Sequence, residues 1–177
     1  METEIPDAPN IDDDPHPVAI VASHYNEAFT DGLLTGAQQE IESLLPNAEI
    51  DVFRVPGAFE IPICAEFLMQ NTEIDALIAL GVVIRGETSH ADLVSTSVTN
   101  SLQAMATDHL IPIINEVLLL DNEEQARVRC LSPDYNRGIE AARAAVNICE
   151  LFSKLHIAHP PGSKSKSKSK ANIASNG

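Results

Sequence analysis

Basic residues are scarce in this chain. Of its 177 residues only 11 are Lys or Arg, against 26 Asp or Glu, and the formal net charge is −15. The first cation is Arg54, and four of the eleven fall in the tract SKSKSKSK near the end. Phosphate backbones require clustered cations, so nucleic acid is excluded as a partner. Cysteine is sparse as well. Cys64, Cys130 and Cys149 stand far apart, without CxxC or Cys/His metal spacing, which argues against a metal centre and for reduced thiols in a cytoplasmic protein. No apolar run approaches the roughly 18 residues of a membrane span, and no basic stretch opens the chain, so neither membrane insertion nor export is expected. No GxGxxG or Walker-type loop follows an apolar run, which removes the usual nucleotide-binding fingerprints.

What is present is one domain with two polar ends. Residues 1–16, METEIPDAPNIDDDPH, are acidic, proline-rich and aperiodic, and read as a disordered arm. Residues 159–177, with their Ser-Lys alternation, read as a flexible tail. Between them, 17–158 alternates strand-like and helix-like segments. VAIVAS, IDVFRV, ALIALGVVI and IPIINEVLL are short apolar runs at 18–23, 50–55, 76–84 and 111–119. Helical spacing follows each: from Glu27, with Asn26 available as a cap; over about 60–70; over about 89–107; and in two pieces, from Glu123 and over 138–155. The order β-α-β-α-β-α-β-α-α predicts an α/β fold: a three-layer α-β-α sandwich on a four-stranded parallel sheet, flavodoxin-like in outline. Ligands of such sheets bind beyond the carboxyl ends of the strands.

Four segments fall there. In VVIRGETSH, Gly86 turns the chain out of the third strand, and Glu87, Thr88 and Ser89 lead into a helix N-terminus whose free amides suit a phosphate or carboxylate. A Ser or Thr at that place is equally read as a helix cap. His90 reads either as a surface imidazole or as a proton shuttle beside an anion site. In VPGAFEIP, Glu60 opens a helix, where a carboxylate serves polyol hydroxyls or simply complements the helix dipole. Tyr25 offers a face for a planar heterocycle, or ordinary half-buried packing. Arg127 and Arg129 lie two apart on a helix and so diverge, one toward solvent and one toward a site.

Taken together, YNEAFTDGLLTGA, VPGAFEIP, GVVIRGETSHADLV, EEQARVR and NRGIEAA resemble, in order and across about 18–155, the 6,7-dimethyl-8-ribityllumazine synthase family of riboflavin biosynthesis. The resemblance implies a transferase, free of metal and organic cofactor. It would condense 5-amino-6-(D-ribitylamino)uracil with 3,4-dihydroxy-2-butanone 4-phosphate, releasing phosphate and water. It further implies that Tyr25 stacks on the pyrimidine ring, and that Ala58, Phe59 and Glu60 hold the ribityl chain. Val82, Val83 and Ile84 would read the ring through their backbone. Glu87, Thr88 and Arg129 would take the phosphate, and His90 would move protons.

The chain also departs from that pattern. Where the family usually shows an aromatic followed by Gly, and then Thr-Thr, this sequence has Asn115, Glu116, Leu119 and Leu120; the aromatic belongs to the site of a neighbouring subunit, so Asn115 reshapes the ring pocket. Arg137 stands in for a lysine beside the phosphate, Ala91 and Leu93 replace bulky aromatics, and Pro133 replaces a frequent basic residue. An alternative reading is therefore a paralogue that binds flavin or lumazine, or builds a shell, without catalysis. The family implies a homopentamer, in some members assembled into a 60-subunit shell. Pro15 and Pro17, which cannot donate to an added strand, and the acidic arm argue for the free pentamer; the link 129–136, with no insertion, leaves the shell open.

Overall fold

Parallel strands and helices alternate along the chain in the computed structural model, which describes residues 5–9 and 16–159. The elements are β1 (Val18–Ser23), α1 (Glu27–Leu44), β2 (Ile50–Val55), a 3₁₀ turn at Ala58–Glu60, α2 (Ile61–Asn71), β3 (Ala76–Ile84), α3 (His90–His109), β4 (Ile113–Leu120), α4 (Glu123–Leu131) and α5 (Arg137–Ala158). The sheet order is β2-β1-β3-β4, parallel throughout. This is the expected three-layer α/β architecture.

The sequence accounts for the layering. Every residue of β1 is buried, as are the first seven positions of β3, because a central parallel strand is covered on both faces. Side chains alternate between the two sides. Ile20, Ala22, Ile78 and Leu80 meet Leu33, Ala37 and Ile41 of α1 and Ala141, Ala142 and Ala145 of α5. Val21, Leu77 and Ala79 meet Ile61, Ala65 and Leu68 of α2 and Val98 and Leu102 of α3. Each such fully buried Val, Ile or Leu contributes about 1.5–3 kcal/mol relative to exposure.

Small residues bring α5 onto α1. A Cβ on Gly138 would collide with the Leu33 carbonyl, and one on Gly36 would press on the Asn136 amide. Asn136, itself buried, accepts from the Gly138 amide at 2.8 Å and donates to the carbonyls of Cys130 at 2.7 Å and Gly32 at 3.0 Å. One side chain thus caps α5 and ties it to both α4 and α1. This gives the NRG segment a packing role.

Boundaries shift by a few residues. The second helix begins with the 3₁₀ turn, and β4 starts two residues later than the apolar run, after Leu110 adopts a left-handed φ of 55° to close α3. Most of the acidic arm and nearly all of the Ser-Lys tail lie outside the described residues. Of the arm, His16 is buried with its Nδ1 2.8 Å from the Asp75 carboxylate, and the Pro6 carbonyl accepts from Arg143. Among the described residues, no helix is long and apolar enough to cross a membrane.

Candidate active site

The sheet order places the switch point between β1 and β3, whose connections leave in opposite directions. A cleft of about 760 Å³ opens there, lined by Tyr25, Asn26, Gly57, Ala58, Phe59, Glu60, Val82, Val83, Ile84, His90, Leu93, Val94 and Ser97. Eight of the thirteen predicted site residues, Tyr25, Ala58, Phe59, Glu60, Val82, Val83, Ile84 and His90, meet in this one space although they come from three separate strand ends.

Each wall has a local cause. Tyr25 is 72% exposed, standing free of the core with its ring edge against Gly57, where a Cβ would lie 2.9 Å from the ring. Gly57 is therefore what lets the tyrosine lie over the 3₁₀ turn. Glu60 bends back so that its Oε2 accepts the Gly57 amide at 2.9 Å, fixing the carboxylate at the cleft wall with further lone pairs for hydroxyl donors. Asn26 occupies the N-cap position of α1 in a left-handed conformation (φ 55°), not the extended one of a usual cap, and its side chain makes no cap bond. The expectation of a side-chain cap is corrected here. Its amide reaches across to donate to the Val82 carbonyl at 2.7 Å, locking the first loop onto β3. This engages one lone pair of a carbonyl expected to read the ring.

Beyond β3 the chain turns through Arg85–Ser89 into α3. Glu87, Thr88 and His90 are exposed on that turn, and Thr88 Oγ1 accepts from the His90 amide at a long 3.4 Å. Ser89 makes no side-chain cap bond at the amino end of α3, and a helix amino end is the kind of place that suits an anion. Arg85 holds the turn in place: Nη2 is 2.9 Å from Asp92 and Nη1 2.5 Å from Asp121, bridging α3 and the end of β4.

The remaining predicted residues lie elsewhere. Arg129 and Arg137 line a second cavity of about 620 Å³ with Leu118, Leu119 and Leu120, beyond the end of β4. Arg127 points away, 59% exposed, 3.8 Å from Glu123, so the two arginines of α4 diverge as their spacing requires. Asn115 sits inside β4, bonded to Thr99 at 3.2 Å and to the Val117 amide at 3.1 Å, and does not line the first cleft. Glu87 and Thr88 border that cleft through the turn without lining it.

No Lys or Arg lies among the residues lining the first cleft. Arg129 and Arg137 are at the second cavity. No group of three or more His, Cys, Asp or Glu with metal-site geometry occurs among the described residues. Burial pushes the Cys130 and Cys149 thiols up to about 12, so neither supplies a thiolate nucleophile near neutral pH. Reasoning from sequence missed Asn26, Leu93, Val94 and Ser97 as cleft residues; positions 90, 93, 94 and 97 share one helical face, which is the signal that would have found the last three.

The arrangement suits a flat, hydroxyl-bearing molecule between Tyr25 and the β3 end, with an anion at the amino end of α3. Comparison with known proteins agrees with it. The family model described as 6,7-dimethyl-8-ribityllumazine synthase matches residues 16–153. A protein of that name from Paraburkholderia phymatum is 40% identical over 144 residues, covering 81% of each chain. Another from Burkholderia multivorans is 40% identical over 148 residues, covering 83% of this chain and 84% of its own. One from Leuconostoc mesenteroides is 35% identical, covering 78% of this chain and 89% of its own. With a match that spans all four strands and every wall of the cleft, the chain belongs to the 6,7-dimethyl-8-ribityllumazine synthase family.

Proposed function

We infer that residues 17–158 form a transferase that condenses 5-amino-6-(D-ribitylamino)uracil with 3,4-dihydroxy-2-butanone 4-phosphate to 6,7-dimethyl-8-ribityllumazine. The observation that carries this reading is the convergence of Tyr25, Glu60 and His90 on one cleft at the switch point. Tyr25 stacks on the pyrimidine. Glu60 accepts from the ribityl hydroxyls, and the β3 end reads the ring edge. The substrate amine attacks the ketone to give an imine with loss of water. Phosphate then leaves, and ring closure with loss of a second water completes the lumazine. Charge grows on the departing phosphate, so the α3 amides and an arginine stabilise that step. Holding the two substrates together supplies much of the acceleration, and His90 adds about 10²-fold or less as a proton carrier.

A phosphorylated substrate needs a cation that the cleft itself does not supply. Arg129 and Arg137 line a different cavity of the same chain. We therefore take the working enzyme to be a homo-oligomer, a pentamer by family resemblance, in which one chain's arginines, and Asn115, complete its neighbour's cleft. An exposed apolar stripe beside the cleft supports an oligomer: Phe59 is 60%, Ile63 70%, Phe67 64% and Leu93 67% exposed. The three free thiols suit a reducing, cytoplasmic setting.

The test is to incubate purified protein with both substrates and follow lumazine fluorescence. Turnover that needs both substrates supports the reading. Binding of product without any turnover would favour the non-catalytic paralogue instead.

A further inference from the structure

Strand β4 carries a carboxylate on a side that is otherwise apolar. Glu116 pairs in register with Leu80 of β3 and shares its side of the strand with Ile114, Leu118 and Leu120. That side faces α4 and α5. Leu118 and Leu120 line the cavity that also holds Arg129 and Arg137, so Glu116 lies one strand repeat beneath the floor of the arginine site. The two arginines are close enough to act on its charge, and Glu116 in turn acts on the buried Cys130 thiol.

We propose that Glu116 is the built-in counter-ion of Arg129 and Arg137, a positioning residue whose negative charge opposes substrate phosphate and whose protonation opens the site to it. This rests on the reading of Arg129 and Arg137 as the phosphate-binding pair. Other anionic or titratable groups among the described residues stand near the arginines. They are Glu140 on α5, which pairs with Arg137; Glu124 on α4, at the cavity rim; and Cys130 on α4, whose thiol stays protonated. From β3, the residues facing the same layer, Ile78, Leu80 and Val82, carry no charge. Burial pushes the Glu116 carboxyl up to about 7, and the nearby Arg137 and Arg129 only partly offset that burial.

The consequence is a linkage between phosphate and a proton. A phosphate dianion arriving at the arginines repels ionised Glu116 and favours its protonated form. Phosphate affinity should therefore be held back as pH rises through 7, beyond whatever the titration of phosphate itself does. Comparing wild type with Glu116→Gln at each pH cancels the latter, since both proteins meet the same phosphate.

The experiment measures inorganic phosphate as a competitive inhibitor against the butanone phosphate, from pH 6 to 8.5, for wild type, Glu116→Gln, Glu116→Ala and Arg129→Ala. Expected is near-equal inhibition by phosphate of wild type and Glu116→Gln at pH 6. At pH 8.5 binding to the variant should be tighter by a factor on the order of ten, with kcat little changed. Glu116→Ala, which removes the same charge with a different change of shape, should follow Glu116→Gln. A merely structural role would alter the two variants unequally and without a pH trend. A wild-type-to-variant ratio that stays flat with pH while Arg129→Ala still weakens phosphate overturns the counter-ion role alone. Phosphate inhibition indifferent to Arg129→Ala overturns the arginine site and the counter-ion with it.

Discussion

At the residue scale, the roles separate by what each group touches. His90 is exposed at the first residue of α3; as a proton carrier its removal should slow turnover by about 10–100-fold and leave it measurable. Arg129→Ala should instead raise KM for the butanone phosphate by a similar factor while KM for the ribitylaminouracil stays near wild type; steady-state kinetics with each substrate varied in turn separates the two. Glu116 makes a prediction about stability. Its folded-state pKa, about 7, lies above the ordinary 4.5, so the fold favours the protonated form. Its cost is absent below about pH 4.5, grows between pH 4.5 and 7, and is fully present above about 7. Glu116→Gln should gain about 1–3 kcal/mol over wild type at pH 8.5 and nothing near pH 4.5, read from urea midpoints. Glu60 and His90 were legible in the sequence because each follows a glycine turn at the end of an apolar run, and Tyr25 because it stands just past the first such run. Asn26 was not: its helix-cap identity was visible, but its reach to Val82, 56 residues away, depends on two strands meeting in space.

At the element scale, hydrophobic period sufficed for strand and helix identity because β1 and β3 are buried on both sides and the helices are long. Ends were harder. The 3₁₀ turn at Ala58–Glu60 owes its form to the Glu60 carboxylate folding back on Gly57, a bond that periodicity does not encode. The start of β4 was displaced because Leu110 takes a left-handed conformation usually left to Gly or Asn. Leu110 is 74% exposed, so Leu110→Gly should be neutral to stabilising by up to about 1 kcal/mol in thermal unfolding. The α1–α5 crossing predicts the reverse. Gly138→Ala drives a methyl group into the Leu33 carbonyl and should cost about 2 kcal/mol or more, with activity lost only as the fold is lost.

At the scale of the whole molecule, the proposed function divides the site between two cavities of one chain. The cleft at β1 and β3 has Tyr25, Glu60 and His90; the cavity beyond β4 has Arg129 and Arg137. Sequence placed the residues in one list. Their division between two cavities follows from strand order, which sets β4 at the edge of the sheet, away from the β1–β3 switch point. Light scattering should give a particle several times the 19.1 kDa chain mass. Ile63→Glu, placed in the exposed stripe of α2, should reduce both that mass and turnover while leaving the far-UV spectrum unchanged. The most direct measurement is complementation between two damaged chains. A cleft variant, Tyr25→Ala with Glu60→Ala, and an arginine variant, Arg129→Ala, are unfolded, mixed and reassembled, and lumazine formation is followed with both substrates. A site shared between chains predicts activity in the mixture well above either parent alone, because some interfaces pair an intact cleft with an intact arginine. Activity no higher than the average of the two parents, in particles shown to contain both chains, would contradict it.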